Sequence, residues 1–353
     1  MKLDYSFWKD KNVIITGHTG FKGSWLAFWL AKLGVQVTGY ALDQLTSPNL
    51  FNTLQIKELI KDHRHDIRDL SALKNVIRST KPEIIIHMAA QSLVKESYKD
   101  PVGTYTTNVI GTMNLIEAAR SCDSIRVILI ITSDKCYENR EIHYGYKETD
   151  PMGGHDPYSS SKGCAELVTM AYRRSFFSDD SAVAIASARA GNVIGGGDWA
   201  RDRIIPDAMR AFNGKKTLQV RNPIAVRPWQ HVLEPLSGYM VLCENMWNQP
   251  SQYSEGWNFG PVDESVCTVE EIIKRVAEYW GDQADWVKSN GEHPHEATLL
   301  KLDITKAKKQ LGWEPKWDLD TALEKTVSWY KNYYNGEDIH VMSLQQIEKY
   351  QEG

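Results

Sequence analysis

The chain has 353 residues, of which 42% are hydrophobic and 24% charged, the balance of a folded globular protein rather than a fibrous or disordered one. Lys plus Arg number 41 against 45 Asp plus Glu, a formal net charge of −4, which disfavours a duplex nucleic-acid binder and leaves positive charge only to local pockets. At roughly 100–200 residues per domain, the length predicts two domains, or one large domain with an embedded lobe.

The first half alternates short apolar runs with helical stretches. Residues 13–16 read as a buried strand, 25–33 as a helix ended by Gly34, and 35–40 as a second strand. A helix over 71–79, with Ser71 as its N-cap, precedes a strand at 84–87. Apolar residues recur at helical spacing over 104–120. A strand at 127–131, a long helix at 160–177 and a strand at 183–188 complete the series. This alternation predicts an α/β fold, a Rossmann-type doubly wound parallel sheet covered on both faces.

Beyond about Gly191 the pattern becomes irregular. Glycines cluster at Gly195-Gly196-Gly197, and Trp and Pro rise at Arg227-Pro228-Trp229 and at 313–317. Residues 1–190 are therefore expected to form the dinucleotide-binding domain. Residues 191–353 are expected to form mainly a smaller mixed α/β substrate lobe, some of whose segments return to the first domain. The polar tail from 337 to 353 is expected to be a surface or assembly segment.

Five cysteines (Cys122, Cys136, Cys164, Cys243 and Cys267) show no C-x-x-C spacing, a pattern suited to a reducing compartment and contrary to a structural zinc. His293-x-His295, with Glu296, offers no convincing third ligand, so no metal is expected. The first ten residues lack the apolar core of a signal peptide. Apolar runs such as 127–131 are too short to span a bilayer. A cytoplasmic enzyme with no membrane partner is the expectation.

The first strand runs directly into Gly17-His18-Thr19-Gly20-Phe21-Lys22-Gly23, and a helix follows. Glycine permits a tight turn and close approach of backbone to a pyrophosphate, while the helix N-terminus offers free N–H groups. The loop predicts a phosphate cradle built from Gly17, Thr19, Gly20, Phe21, Lys22 and Gly23. Asp43 is the acid nearest the end of the second strand, placed to accept from an adenosine ribose. No Arg adjoins it in sequence to take a 2′-phosphate, which favours NAD over NADP. Asp66 is placed to accept from the adenine amino group, with Ile67 against the ring. The alternative is an acid cluster that only serves the following helix N-terminus.

Tyr158 and Lys162 stand four apart, one turn of helix, on a shared face. A phenol titrates near about 10, and a neighbouring ammonium is expected to lower that value. The pair would then deprotonate a hydroxyl as a nicotinamide accepts hydride. Ser133, just past the strand at 127–131, is placed to bond the substrate oxygen and Tyr158.

Further strings carry a resemblance. They are His87-Met88-Ala89-Ala90-Gln91, Thr107-Asn108-Val109-Ile110-Gly111-Thr112 and Arg189-Ala190-Gly191-Asn192-Val193. With the glycine loop, Ser133 and Tyr158/Lys162, they make the sequence resemble the extended short-chain dehydrogenase/reductases over almost its whole length. Within these it resembles the nucleotide-sugar 4,6-dehydratases. The resemblance implies bound NAD, with Ala89, Ala90, Gln91 and Asn108 beside it. That family carries Asp-Glu after Ser/Thr at the strand end, whereas this chain has Asp134-Lys135. A Lys there is similar to the branch acting on CDP-glucose, as are the strings 195–207 and 227–232.

The implied reaction oxidises C4 of the hexose, eliminates water across C5 and C6, and returns hydride to C6. By position Asp134 is the acid. Lys135 is either the C5 base or an electrostatic support for the enolate. Asn192, Arg203 and Arg227 are the implied contacts to the sugar diphosphate, with Arg189 bracing the loop instead. Other readings are the same reaction on dTDP-glucose or GDP-mannose, a 4-epimerase, and a non-catalytic NAD-sensing scaffold. The Asp134–Lys135 pair disfavours the epimerase, and the presence of Tyr158 and Lys162 disfavours the scaffold. The helices at 104–120 and 160–177 match the pair that forms a four-helix dimer core in this superfamily, which implies a homo-oligomer, a dimer and beyond it a tetramer. Trp199 and Trp229 are left between stacking on cytosine and packing the lobe.

Overall fold

A strand such as Val-Ile-Leu-Ile-Ile has no polar face, so it must be covered on both sides. The computed structural model, which describes residues 3–177, 181–281, 284–289 and 299–353, meets that demand with helices. From the N-terminus, α1 (Tyr5–Trp8) precedes β1 (Asn12–Thr16), α2 (Phe21–Lys32), β2 (Gln36–Ala41), α3 (Leu50–Thr53), β3 (Lys61–Arg64), α4 (Leu70–Thr80) and β4 (Ile84–His87). Next come α5 (Val94–Lys99), α6 (Pro101–Tyr105), α7 (Gly111–Ala119), β5 (Val127–Ile131), α8 (Pro157–Phe176) and β6 (Ala184–Ala190). Then follow β7 (Asn192–Ile194), α9 (Ile204–Asn213), β8 (Leu218–Val220), β9 (Val226–His231), α10 (Leu233–Asn248), α11 (Pro250–Tyr253) and β10 (Gly256–Phe259). The last elements are β11 (Val266–Thr268), α12 (Val269–Trp280), β12 (Trp286–Lys288), α13 (Leu319–Tyr334) and α14 (Ile339–Glu352).

Seven strands form the main sheet in the order β10-β6-β5-β4-β1-β2-β3. Every pairing in it is parallel, the expected doubly wound α/β arrangement. Alternate residues feed opposite faces. Val13 and Ile15 enter one core and Ile14 the other; Ile84 and Ile86 likewise oppose Ile85. The strand order reverses beside β1, which leaves a crevice at the carboxyl ends of β1 and β4 where ligands bind in such sheets. Smaller sheets, β11-β9-β7 and β12-β8, form a mixed lobe at that end. The chain leaves the main sheet after β6 and returns to its edge as β10.

Local chemistry moves several boundaries. The helix expected from Ser71 starts at Leu70, because Asp69 accepts from the Ala72 N–H and is the cap. Asp156 caps α8 by accepting from the Ser159 N–H, so Tyr158 lies in the first turn. The stretch 104–120 is not one α-helix. A five-residue π-helical segment, Thr106–Ile110, separates α6 from α7, and such segments often mark functional sites.

The polar tail is not a loose surface segment. It folds as α14 and buries Ile339, Ile347 and Tyr350. The Tyr350 hydroxyl donates to Glu234 at 2.7 Å, and its ring meets Trp29 edge-on. At the other end of α10, Glu244 accepts from the Trp8 indole N–H at 2.7 Å. One helix thus holds both the first and the last helix of the chain through buried carboxylates. Burial pushes Glu234 and Glu244 each up to about 7. Trp199 packs among Trp329, Tyr330, Tyr333 and Tyr334, and Trp229 is equally buried. Both tryptophans are therefore core of the lobe.

Candidate active site

The glycine loop sits at the crevice between β1 and α2. Gly17 has φ of +76°, and a Cβ there would come within 2.7 Å of the Ala89 nitrogen. A Cβ on Gly23 would lie 2.2 Å from the Gly17 carbonyl oxygen. Both glycines are thus required by the loop's own backbone. Gly20 differs: it is the N-cap of α2, its nearest such contact is 3.4 Å, and no side chain caps the helix. The first N–H groups of α2 consequently lack partners within the helix and face an open cradle. The residues present fit a dinucleotide pyrophosphate.

Around that cradle, the predicted residues divide. Thr19 donates to the Leu42 carbonyl at 3.0 Å and ties the loop to the end of β2. Phe21 is half-buried and lies under Gly195. The Lys22 ammonium turns away to the Tyr239 hydroxyl at 2.9 Å. Burial, aided by the charge of Lys162, pushes it down to about 7. Ala89 donates its N–H to Thr16, whose hydroxyl also meets His87. His87 reaches Thr112 on its other ring nitrogen. Burial drives that imidazole down to about 3, so it is a neutral packing residue. Ala90 follows at the same strand end. The Asn108 amide is spent on the protein: it accepts from the Gln91 N–H, and donates to the Gln91 carbonyl and the Ser161 hydroxyl. The π-helical segment places it there, so it fixes the Gln91 backbone.

At the end of the crevice expected to hold adenosine, Asp43 stands two residues past β2 and its side chain is 89% exposed. The sequence places no Arg beside it, yet the fold does. Arg64 on β3 comes within 3.5 Å of Asp43 and pairs with Asp62 at 2.8 Å, because β3 runs alongside β2 with Ala41 opposite Arg64. Asp66 pairs with Arg68 at 2.6 Å. Ile67 is buried against Gly111, where a Cβ would meet it at 2.7 Å.

The catalytic candidates meet at the carboxyl ends of β5 and β6. Ser133 donates to Asp134 at 2.9 Å and hydrogen-bonds Tyr158. Tyr158 and Lys162 rise from α8 on one face. The expected electrostatics are reversed here. Burial pushes the Tyr158 phenol up to about 12, against the Ser133 hydrogen bond. Burial also pushes Lys162 down to about 8, and its ammonium donates to the Ile131 carbonyl at 3.2 Å. Desolvation is the largest cause of both shifts.

Asp134 is buried against Gly191, where a Cβ would sit 2.9 Å from its carboxylate. Burial raises its carboxyl, opposed by Lys135, Ser133 and Arg227, the condition for a proton donor. Lys135 beside it is half-buried.

One turn beyond Lys162, Glu166 sits fully inside. It accepts from Thr132, from Ser187 at 2.6 Å, and from Arg189 at 2.9 and 3.0 Å. Arg189 also donates to Tyr137, so it braces the floor of the site. Sequence reasoning missed Glu166, although the i, i+4, i+8 run Tyr158, Lys162, Glu166 was visible. The lobe supplies the rest. Asn192 opens β7, opposite Trp229 of β9. Arg227 lies on β9 within electrostatic reach of Asp134. Arg203 donates to the buried Asp198 at 2.8 Å and is charge-coupled to Tyr158. His293, His295 and Glu296 lie outside the described residues. Among the described residues no group of His, Cys, Asp and Glu has metal-binding geometry.

A family model described as GDP-mannose 4,6 dehydratase matches residues 14–326. The chain belongs to this family. A CDP-glucose 4,6-dehydratase of Salmonella typhimurium is 52% identical over 352 residues, 99% of this chain and 98% of that one. Among solved structures, a dTDP-glucose 4,6-dehydratase of Bacillus anthracis in complex with NAD superposes with a TM-score of 0.77 at 24% identity, covering 93% of this chain and 98% of that chain. A UDP-glucose 4-epimerase of Thermotoga maritima superposes equally well, with a TM-score of 0.78 at 21% identity over 91% of this chain and 99% of its own. The shared fold therefore hosts both dehydratases and epimerases, and the chemistry must be argued from the site.

Proposed function

We propose that this 4,6-dehydratase family member converts CDP-D-glucose to CDP-4-keto-6-deoxy-D-glucose, with NAD as its resident cofactor. The observation that carries this reading is the 52% identity, over 99% of the chain, to the Salmonella CDP-glucose 4,6-dehydratase. The uncapped N-terminus of α2 and the open side of Gly20 would hold the pyrophosphate, and Asp43 would hold the adenosine ribose. A bound NAD would take the C4 hydride and give it back at C6.

The side chains supply the proton chemistry. Tyr158 accepts the C4 hydroxyl proton as the ketone forms, and Ser133 holds the same oxygen. Burial is the largest cause that holds the phenol up near 12, even with the Ser133 hydrogen bond and the Arg203 charge acting to lower it, so ionisation needs further positive charge, and Lys162, one turn along α8, is the group we assign to supply it. The new ketone acidifies C5–H. Lys135 removes that proton or steadies the resulting enolate, and Asp134 protonates the C6 oxygen, which leaves as water. Asp134 is suited to that step because burial favours its neutral form. Arg227 and Arg203 bind the diphosphate, and Asn192 approaches the sugar.

We also infer a homodimer through α6, α7 and α8. Val102, Ile110, Leu167 and Phe176, all on this helical layer, are apolar and 41–72% exposed. A reducing cytoplasm suits the five unpaired cysteines. Purified protein incubated with CDP-glucose, dTDP-glucose, UDP-glucose or GDP-mannose, without added reductant, should form the 4-keto product from CDP-glucose. Product from another sugar nucleotide alone would move the assignment to that substrate. Light scattering that reports a monomer would end the dimer reading.

A further inference from the structure

Lys22 is rooted in the phosphate cradle but ends elsewhere. It is the second residue of α2, beside the uncapped N-terminus of that helix. Its ammonium donates to the Tyr239 hydroxyl at 2.9 Å and lies 5.1 Å from the centre of that ring. Tyr239 belongs to α10, is fully buried and meets Phe259 edge-on, so the phenol is a fixed mount. Tyr239 is in turn charge-coupled to Tyr158. Three more elements bring charged groups within electrostatic reach of the Lys22 ammonium: Lys162 of α8, Arg203 at the start of α9 and Asp134 after β5. Two of these are cations, and burial favours the neutral form of the third. Among the described residues the hydrogen-bond partner of Lys22 is this phenol, and no carboxylate forms an ion pair with it.

We propose that Lys22, mounted on Tyr239, tunes the hydride step: its positive charge beside the nicotinamide favours the uncharged reduced ring over the cationic oxidised one, and so promotes removal of hydride from C4. This rests on the reading of the crevice as the NAD site. A nicotinamide half must bridge two fixed points, the pyrophosphate cradle at the N-terminus of α2 and a sugar C4 whose oxygen is held by Tyr158 and Ser133. The Lys22 side chain spans the same interval, from the first turn of α2 to a phenol coupled to Tyr158. In C4 oxidation the C4–H bond breaks and its electron pair neutralises the ring, while the hydroxyl proton passes to Tyr158. A positive charge held nearby, in a crevice of low dielectric, repels the oxidised ring and not the reduced one. Oxidation of a secondary alcohol by NAD is the uphill half of the cycle. The hydride returns to an alkene conjugated with the new ketone, which is a better acceptor, so stabilising the reduced form helps the harder half. A pyrophosphate at the root of the same side chain favours the charged ammonium.

The test is calorimetric binding of NAD and of NADH to wild type, Lys22→Met, Lys22→Arg and Tyr239→Phe. It is run at about pH 6, where the ammonium is charged, because burial brings Lys22 down only to about 7. Circular dichroism melts would check that each protein is folded. Lys22→Met keeps the length of the side chain and removes its charge. It should tighten NAD about tenfold and leave NADH within about twofold, since a repulsion is lost for one form alone. Lys22→Arg should keep the wild-type ratio of the two affinities. Tyr239→Phe releases the ammonium from its mount and should give an intermediate ratio. A merely structural role would move both affinities together, so parallel shifts in Lys22→Met would overturn the proposal. So would a Lys22→Arg protein with the ratio of Lys22→Met. If Lys22→Met does not fold, Tyr239→Phe decides, and a ratio unchanged from wild type would overturn the proposal. Wild type that binds neither form would overturn the cofactor reading, and this proposal with it.

Discussion

The two ends of the crevice use ionisable groups in opposite ways. At the catalytic end Asp134, Tyr158, Lys162 and Glu166 are all buried, and burial drives the first three toward their neutral forms. At the adenosine end the carboxylates of Asp43 and Asp66 are 89% and 29% exposed and stand beside arginines. Water is excluded where protons must move and retained where a ligand must be recognised. Substitutions at the first end should therefore change rate or stability steeply. At the second they should change affinity modestly.

The largest effect expected is at Tyr158. On the proposed mechanism Tyr158→Phe removes the group that takes the C4 hydroxyl proton, so kcat should fall by about 10³. The melting temperature should hardly move, since the hydroxyl's hydrogen-bond partner is Ser133. Asp134→Asn should cost about 10² in kcat, with C4 oxidation preserved and reduced-nicotinamide absorbance persisting in the presence of substrate. A Tyr158→Phe enzyme within tenfold of wild type would break the contrast at its strongest point.

Next comes the floor of the site. Glu166→Gln would leave the Arg189 charge buried with half its partner gone, and Thr132, Ser187 and Arg189 would compete for a single acceptor oxygen. Removing one member of a buried pair costs about 3–5 kcal/mol, so a drop of several degrees in melting temperature is expected at neutral pH. An unchanged melt would mean that the pair contributes nothing to the fold.

Much of this was legible in the chain. Apolar runs predicted β1, β4 and β5 almost to the residue, because a strand buried on both faces has no alternative composition. Gly17, Gly20 and Gly23 marked the turn from β1 into α2, and the spacing of Tyr158 and Lys162 placed both on α8. What sequence hid was contact between distant segments. Arg64 adjoins Asp43 only because β3 lies beside β2. Asn108 turns onto Gln91 only because a π-helical segment interrupts its helix. The direction of the Tyr158 shift was missed for a related reason: spacing reveals the Lys162 charge but not the depth of burial, and burial is the larger effect. The polar tail misled because α14 buries just one stripe of its residues.

Glu234 extends the contrast to pH. Its folded value, about 7, lies above the ordinary carboxylate value of 4.5. Between those values the folded state holds a proton that the unfolded state has lost. The contribution is thus fully present below about 4.5 and is lost as pH rises through about 7, with a span on the order of 3 kcal/mol. Melting curves across that window should slope less in Glu234→Gln than in wild type, even if the variant is less stable throughout. Parallel slopes would mean that Glu234 is already ionised in the folded protein at pH 5.

The smallest effect belongs to the adenosine end. Asp66 holds Arg68 at 2.6 Å, and the Arg68 side chain is 49% exposed. The Arg68 hydrogen bond keeps this carboxyl below its ordinary value, against the smaller opposing effect of burial. A pair so open to water contributes less than about 1 kcal/mol. Asp66→Asn keeps one acceptor oxygen for an adenine amino group and leaves intact the main-chain carbonyl that accepts from Tyr40. NAD affinity should therefore fall only two- to threefold by about the worth of a weakened exposed hydrogen bond, with the melt unchanged. A loss beyond tenfold would show that charge at Asp66, not mere acceptor capacity, holds the adenine. The exposed end would then depend on its carboxylates as sharply as the buried end does.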